Sequence, residues 1–198
     1  MPMQNNEVFN ITSDYPSPQP LMVRFMDAEK IVRKPHRLKR AERIAIIYRG
    51  MPGAGKTESA QLLKRIETSE SGQDNVKIIS LYDFYKSKKE SNASFFEKYD
   101  GSHKELMKVF QNEVEKKLYN FIIIVGIFDK ERRIYDIATR AMSNNYDCFV
   151  VEMPHNYNDS NTSDSDVKFS KYELDKLYQG WELTPPALIR LEVDGLRE

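Results

Sequence analysis

The sequence predicts an α/β fold of three layers, in which a mainly parallel sheet lies between helices. Short, continuously apolar runs, which are typical of buried parallel strands, alternate along the chain with segments of helical periodicity. This alternation is typical of strands that are joined by right-handed crossovers. A glycine-rich stretch between the first predicted strand and the first predicted helix is the third observation, and it also indicates a function.

The first element is a strand over residues 43–49, and the glycine-rich stretch 50–57 follows it directly. This stretch reads Gly-Met-Pro-Gly-Ala-Gly-Lys-Thr and matches G-x-x-x-x-G-K-[ST], the phosphate-binding P-loop, at every fixed position. Apolar residues at helical spacing follow over 58–66. Backbone N–H groups and a helix N-terminus converge on an anion in such an arrangement. The sequence therefore predicts a P-loop NTPase fold.

Each position of the loop has an expected role. Glycine permits backbone conformations that a side chain forbids, Lys56 reaches the β- and γ-phosphates, and the Thr57 hydroxyl ligates Mg²⁺. We expect ATP or GTP with Mg²⁺ as the ligand. The predicted nucleotide-binding residues are Gly50, Pro52, Gly53, Ala54, Gly55, Lys56, Thr57 and Glu58.

The remaining elements follow in alternation. Further strands are predicted over 76–81, 121–125, 148–152 and 188–193, and further helices over 103–118, 129–141 and 171–178. The stretches 83–100 and 156–166 are polar, and we expect the second to be a mobile loop. We divide the chain into a flexible, proline-containing tail (1–25), a basic lead-in that packs on the domain (26–42) and a P-loop domain (43–198).

Composition excludes some classes of protein. The 198 residues include 30 Lys plus Arg and 30 Asp plus Glu, so net charge gives no reason to expect non-specific binding to nucleic acid or membranes. The single cysteine, Cys148, excludes an intrachain disulfide, suits a reducing compartment and lies in an apolar run that predicts burial. No apolar stretch is long enough to span a bilayer.

Three acidic residues follow predicted strands, at the edge of the sheet where ligands bind. Asp83 is the candidate general base and Mg²⁺-site carboxylate, with a helix cap as the alternative. For Asp129 we favour the N-cap of the next helix, and for Glu152 a core-edge acid and a site residue remain equal alternatives. We expect His103 and His155 to be solvated in polar loops.

From about residue 28 onward the chain resembles the C-terminal P-loop domain of the YLP motif-containing nuclear proteins, also called ZAP proteins. More distantly it is similar to the polynucleotide-kinase-like P-loop phosphotransferases. The resemblance rests on residues 46–57, 79–84, 121–124, 129–133 and 152–153, and most specifically on the ending 181–186 with 189–193. It implies a kinase-like domain, a nuclear location and an ATP or GTP cofactor. Without it, the sequence suits a cytosolic protein equally well.

The chain departs from the family pattern at three places. Tyr82 stands where the polynucleotide kinases keep their first aspartate, the expected base, and Val125 stands where the family has an aspartate. The acidic segment 164–166 replaces the arginine and histidine of the family's lid. Lys168 and Arg132 are the candidate lid cations. The resemblance thus implies an intact binding half and an eroded catalytic half.

Two interpretations remain open. The favoured one is a nucleotide-binding pseudokinase that acts through protein or RNA interactions. The alternative is an active phosphotransferase on a polynucleotide or nucleotide 5′-hydroxyl, with Asp83 as base. Residues 23–25, Val-Arg-Phe, also weakly match a V-x-F phosphatase-docking motif. We expect Trp181 to be mostly buried as an anchor of the fold.

Overall fold

The computed structural model describes residues 21–33, 43–88, 92–154, 169–183 and 189–190. In chain order the strands are β1 (Leu21–Arg24), β2 (Ile44–Arg49), β3 (Val76–Ser80), β4 (Phe121–Gly126), β5 (Asp147–Glu152) and β6 (Ile189–Arg190). The α-helices are α1 (Lys56–Ser71), α2 (Leu81–Lys86), α3 (Phe95–Lys116), α4 (Glu131–Ser143) and α5 (Lys171–Gln179). A 3₁₀ helix, Phe25–Ile31, follows β1 and is called the N-terminal 3₁₀ helix below.

The strands form a six-stranded sheet in the order β3-β4-β2-β5-β1-β6, and every pair of neighbours is parallel. All six residues of β2 and all six of β4 are buried. Burial of a whole strand requires cover on both faces of the sheet, which explains the continuously apolar runs. The predicted α/β fold with a mainly parallel sheet is confirmed.

The direction of each connection assigns the helices to two layers. The connections β2 to β3 and β1 to β2 run one way along the sheet, whereas β3 to β4, β4 to β5 and β5 to β6 run the other way. Since crossovers between parallel strands are right-handed, α1 and the N-terminal 3₁₀ helix lie on one face and the remaining helices on the other. Direct packing of α1 on the N-terminal 3₁₀ helix, and of α3 on α4, agrees with this assignment.

Strand β1 corrects the expectation of a flexible tail through residue 25. Its residues pair with Phe149–Glu152 of β5, and the side chain of Val23 is only 2% exposed. The V-x-F interpretation of residues 23–25 is therefore wrong, because a docking motif must be accessible. β1 was not predicted, because four residues beside a proline-containing segment carry little periodicity. Residues 1–20 and 34–42 lie outside the described residues, so the proposed domain boundaries stay predictions.

Helix α3 begins eight residues earlier than predicted. A capping box starts it, in which the Ser94 hydroxyl accepts a hydrogen bond from the Glu97 N–H and the Glu97 carboxylate accepts one from the Ser94 N–H. His103 consequently lies within a helix and is buried, not solvated in a loop as expected. Its ring packs edge-on against Phe128 with 6.1 Å between ring centres, and burial lowers its pKa to about 4.

The burial of Cys148 agrees with the prediction from its apolar run. Cys148 is buried in β5, and burial raises the pKa of its thiol. Within the described ranges, no helix combines the length and the apolarity that are needed to cross a bilayer.

Candidate functional site

The glycine-rich loop connects the end of β2 to the start of α1 at the carboxyl edge of the sheet. Gly53 and Gly55 both have φ of 79°, in the left-handed region that side chains disfavour. Inside the loop, the Ala54 N–H donates to the carbonyl of Met51 at 3.3 Å. The loop therefore turns back on itself, and it depends on glycine at these two positions.

Gly50 is required for a different reason, which is close packing. A Cβ atom at this position would lie 2.8 Å from Cβ of Met153, which follows β5 and is itself buried. The Met153 N–H donates to the carbonyl of Arg49 at 2.8 Å, and this bond fixes that neighbour in place. The start of the loop is thus held directly against the end of the neighbouring strand.

Lys56 is the first residue of α1 and is only 3% exposed. Its ammonium donates hydrogen bonds to the carbonyls of Gly50, at 2.8 Å, and Met51, at 2.5 Å. These bonds cross the loop and hold the charged group against the loop backbone. A fixed positive charge at this point is suited to a phosphate group.

The N-terminus of α1 adds a second source of positive potential. Gly55 is its N-cap and offers no capping side chain. The first N–H groups of an α-helix have no partner within the helix, and its dipole places partial positive charge there. Thr57 is half-buried and Glu58 is exposed in this first turn. The loop and helix together form an anion-binding arrangement.

Tyr82 lies beside Lys56. The Lys56 ammonium is 5.5 Å from the centre of the Tyr82 ring, and the phenol is buried with no hydrogen-bond partner among the described residues. Burial, and to a smaller extent the negative charge of Glu58, raises the pKa of Tyr82 well above its usual value. The phenol therefore stays protonated at neutral pH and cannot act as a general base.

The end of β4 beside the loop is apolar and carries no acidic side chain. Val125 is fully buried and pairs with Tyr48 of β2. Next to it, a Cβ on Gly126 would lie 2.5 Å from the Phe128 ring, which folds back over this glycine with φ of 49° at Phe128. Among the residues that the structure describes, no group of three or more His, Cys, Asp or Glu side chains could hold a metal ion.

The remaining candidates of the sequence analysis are dispersed. Asp83 is exposed in the first turn of α2, where the N-cap is Ser80, whose hydroxyl accepts from the Tyr82 N–H at 3.3 Å. The cap role considered for Asp83 therefore belongs to Ser80. Arg132 is exposed in the first turn of α4. Lys168, the acidic segment 164–166 and His155 lie outside the described residues, so their roles stay predictions.

Asp129 does not cap α4, contrary to expectation. The N-cap is Lys130, with no capping side-chain bond. The Asp129 carboxylate is buried, accepts a hydrogen bond from the Tyr99 hydroxyl at 2.9 Å and lies 3.5 Å from the Arg133 guanidinium. A buried carboxylate needs such partners, and α3 and α4 supply them. The carboxylate therefore ties both helices to the loop that follows β4.

Arg49, the last residue of β2, was not among the predicted site residues. Its guanidinium is completely buried, donates to the carbonyl of Phe128 at 2.8 Å and to that of Asp129 at 3.3 Å, and also donates to the carbonyl of Glu182. Its Nη1 lies 3.4 Å from the Glu152 carboxylate, so the structure gives Glu152 a structural partner. A charged residue at the end of an all-apolar strand was the available signal.

Trp181 completes this cluster. The Arg49 guanidinium carbon lies 4.4 Å from the centre of the indole ring, within the range of a cation–π interaction. The tryptophan is half-buried against the hydrophobic core, so it is less enclosed than predicted but still contacts the fold. Arg49 and Trp181 thus attach the segment after α5 to the strand ends behind the glycine-rich loop.

Comparison with known proteins gives one group of relatives. The chain is 25% identical to YLP motif-containing protein 1 of mouse, rat and human over 187 residues, which is 86% of this chain. It spans only 13% of the mouse and rat proteins and 9% of the human one. The resemblance to YLP motif-containing proteins is confirmed. No family model matches the chain.

Among solved structures, the chain is similar to the APS kinase of Mycobacterium tuberculosis. The identity is 14%, the TM-score is 0.44, and the match covers 60% of this chain and 83% of that one.

Proposed function

We propose that this chain binds a purine nucleoside triphosphate with Mg²⁺ through residues 50–57 and does not transfer phosphate at an appreciable rate. In this proposal it is a pseudokinase-like module of a nuclear protein, and it acts through contacts with protein or RNA. The nuclear setting is only what the resemblance to the YLP motif-containing nuclear proteins implies.

The described residues fit the phosphates of such a ligand. Two glycines have left-handed φ values, and a third packs too closely on Met153 to carry a side chain. The Lys56 ammonium is held against the loop by two carbonyls, and the N-terminus of α1 points its dipole at the same place. These features favour a polyphosphate over an uncharged ligand.

The described residues offer fewer groups for Mg²⁺ than for the phosphates. Thr57 is half-buried in the first turn of α1 and is the hydroxyl that would ligate the ion. The end of β4 offers Val125 and Gly126, which supply no carboxylate. Mg²⁺ usually keeps several waters and binds substrate phosphates, so Thr57 with the nucleotide is a sufficient donor set for binding. When bound, the ion would neutralise phosphate charge.

The proposal that the chain does not transfer phosphate rests on one observation, the position of Tyr82. A protonated, buried phenol occupies the space beside the P-loop lysine, at the position where the resembled kinases keep a carboxylate. A phenol whose pKa is raised cannot accept a proton from an acceptor hydroxyl at neutral pH. In the part of the chain that the structure describes, the residue beside the P-loop lysine is therefore a protonated phenol and not a base.

The alternative, an active phosphotransferase on a 5′-hydroxyl, has its own supporting observation. Asp83 is exposed one residue after Tyr82, at the same edge of the sheet. Because its carboxylate is exposed, it is accessible to a substrate. This alternative requires Asp83 to act as base and a cation such as Arg132 or Lys168 to act as lid.

The binding half of the proposal is tested by calorimetric titration of the whole chain with ATP and with GTP, each with and without Mg²⁺. We expect binding at micromolar to millimolar concentration and at least a tenfold loss in Lys56→Ala, because a charged partner of the phosphates is removed. Lys104→Ala, which removes an exposed lysine from α3, is the matched control and should bind normally. Equal ATP affinity in Lys56→Ala and the parent, or no binding by the parent at millimolar concentration, would refute the proposal.

A further inference from the structure

A groove of about 490 Å³ lies between the N-terminal 3₁₀ helix and α1. One wall includes Phe25 and Met26, and the other includes Glu58, Ser59 and Leu62. Its volume lies within the range of small-molecule sites. At one end the groove includes Gly55, which belongs to the glycine-rich loop.

The groove runs along one face of α1 away from the loop. Gly55, Ser59 and Leu62 are spaced at i, i+4 and i+7, so they lie on the same side of the helix. At a rise of 1.5 Å per residue, the distance from Gly55 to Leu62 along the axis is about 10 Å. This length is comparable to that of a ribose with a purine base. A nucleotide whose phosphates lie at the loop would therefore extend its base into the groove.

The topology places the opposite wall at the same edge of the sheet. Strand β1 is parallel to β5 and pairs with it, and the N-terminal 3₁₀ helix starts directly at the carboxyl end of β1. The loop follows the carboxyl end of β2, and β2 pairs with the other side of β5. Ligands of parallel sheets bind outside the carboxyl ends of the strands. The groove and the loop are therefore two parts of one continuous surface.

The chemistry of the walls suits a heterocyclic base. Phe25 is 40% exposed, Met26 is 87% exposed and Leu62 is 38% exposed, and a ring and a thioether are good surfaces for an aromatic ligand. The Glu58 carboxylate is exposed on the facing wall, and the half-buried Ser59 hydroxyl beside it donates to the Tyr48 hydroxyl at 2.8 Å. A carboxylate such as that of Glu58 accepts hydrogen bonds from ring or exocyclic N–H groups.

We propose that this groove is the nucleobase subsite and that the segment 25–29, which precedes the P-loop domain predicted from the sequence, forms one wall of the nucleotide site. The inference rests on the proposed function, since it assigns the base of the same nucleotide. Phe25 and Met26 contact the base, and Gly55 marks the boundary with the phosphates.

The test compares ATP with inorganic tripolyphosphate, which offers the same charged chain without a base. Affinities are measured by calorimetry for the parent chain, Phe25→Ala and Met26→Ala. We expect about a tenfold loss of ATP affinity in Phe25→Ala and about a threefold loss in Met26→Ala. Tripolyphosphate affinity should not change in either variant. Leu118→Ala, an exposed leucine at the amino end of β4 and the opposite edge of the sheet, is the matched control.

The outcomes separate this inference from the proposed function. If the parent binds both ligands and the two variants bind ATP as the parent does, the groove is not the base site, while nucleotide binding stands. Loss of ATP and tripolyphosphate to the same extent would mean that the variants disturb the loop, and it would also overturn the base assignment. Failure of the parent to bind either ligand would refute the proposed function and this inference with it. Met26 is so exposed that its truncation should leave the melting temperature unchanged, which keeps the result independent of folding.

Discussion

Burial changes the roles of individual residues in this molecule. From the sequence we expected His103 to be solvated in a loop and Asp129 to cap a helix. Both are instead buried where α3 packs near the loop that follows β4. Asp129 has a hydroxyl and a guanidinium as partners. His103 Nδ1 has no hydrogen-bond partner among the described residues, and its pKa falls to about 4 because the charged form is poorly solvated. The His103 imidazole is therefore neutral in the folded protein at neutral pH, and protonating it would destabilise the fold.

From the lowered pKa of His103 we predict that the stability of the protein depends on pH. Its pKa is about 4 in the folded chain and 6.5 when the ring is fully solvated, so the unfolded chain binds more protons between these values. As far as this histidine is concerned, the free energy of unfolding should be at its maximum above pH 6.5. It should fall by at most about 2–3 kcal/mol as the pH drops to 4. The nearby carboxylates Asp100 and Asp136 oppose the shift, whereas Arg132 and Arg133 reinforce it.

The measurement is urea denaturation of the parent and His103→Gln between pH 4 and 8. The variant cannot titrate in this window, so its stability should depend less steeply on pH. Lys104→Gln, the next residue on the exposed side of α3, should keep the parent's slope. Identical slopes in His103→Gln and the parent would show that the histidine does not cause the effect.

Residue roles could be predicted only where the signal is local. Lys56 and the three loop glycines were predicted from a motif of eight consecutive residues. The structure shows Lys56 bonded to the loop backbone and left-handed φ values at Gly53 and Gly55, while their role in nucleotide binding stays a prediction. Arg49 could not be predicted in the same way. Its partners are Phe128, Glu152 and Glu182, which are distant in sequence and meet only after the strands pair.

The same distinction holds for the secondary-structure elements. β2, β4 and β5 are identified by continuous apolarity, because both faces of each strand meet helices. β1 has four residues and owes its burial to pairing with β5, which no local pattern reports. The early start of α3 had a local signal, the Ser94–Glu97 capping box, although the polar content of its first two turns masked it. Non-local pairing and overlooked caps account for these errors.

At the level of elements, Trp181 should stabilise the attachment of the segment that follows α5. Trp181→Ala removes the ring that packs on the core and lies under the Arg49 guanidinium. We expect the melting temperature to fall by about 5 °C, which corresponds to roughly 2 kcal/mol in a domain of this size.

Calorimetry or fluorescence thermal denaturation measures this change. Leu183→Ala, which truncates an exposed side chain two residues away, is the control and should leave the melting temperature unaltered. If Trp181→Ala also leaves it unaltered, the indole serves a partner interface and not the fold.

For the molecule as a whole, we predict that transfer of the γ-phosphate of ATP to 5′-hydroxyl RNA or DNA is absent or barely measurable. Tyr82 and Val125 occupy positions where the resembled kinases have acids, and loss of one acid or base costs ~10²–10⁴ in rate. A nucleotide that is bound without turnover would still stabilise the fold by mass action.

The assay follows labelled phosphate in the parent, Lys56→Ala, Asp83→Asn and Asp136→Asn, the last being an exposed aspartate of α4. Turnover at ordinary kinase rates that Lys56→Ala and Asp83→Asn abolish and Asp136→Asn retains would establish the active phosphotransferase with Asp83 as base. Activity that survives all three changes would indicate a contaminating kinase.

The placement of β1 between β5 and β6 also has a consequence for how the chain folds. Among the described strands β6 pairs with β1 alone, so Leu21 and Ile189, which are distant in sequence, must meet. Closing a loop of that length is entropically costly, and such contacts form late. Of the described strands β1 is synthesised first, and it can pair with β5 only after β5 has also been synthesised. The sheet should therefore form outward from β2, and β6 should be the last of the described strands to join it.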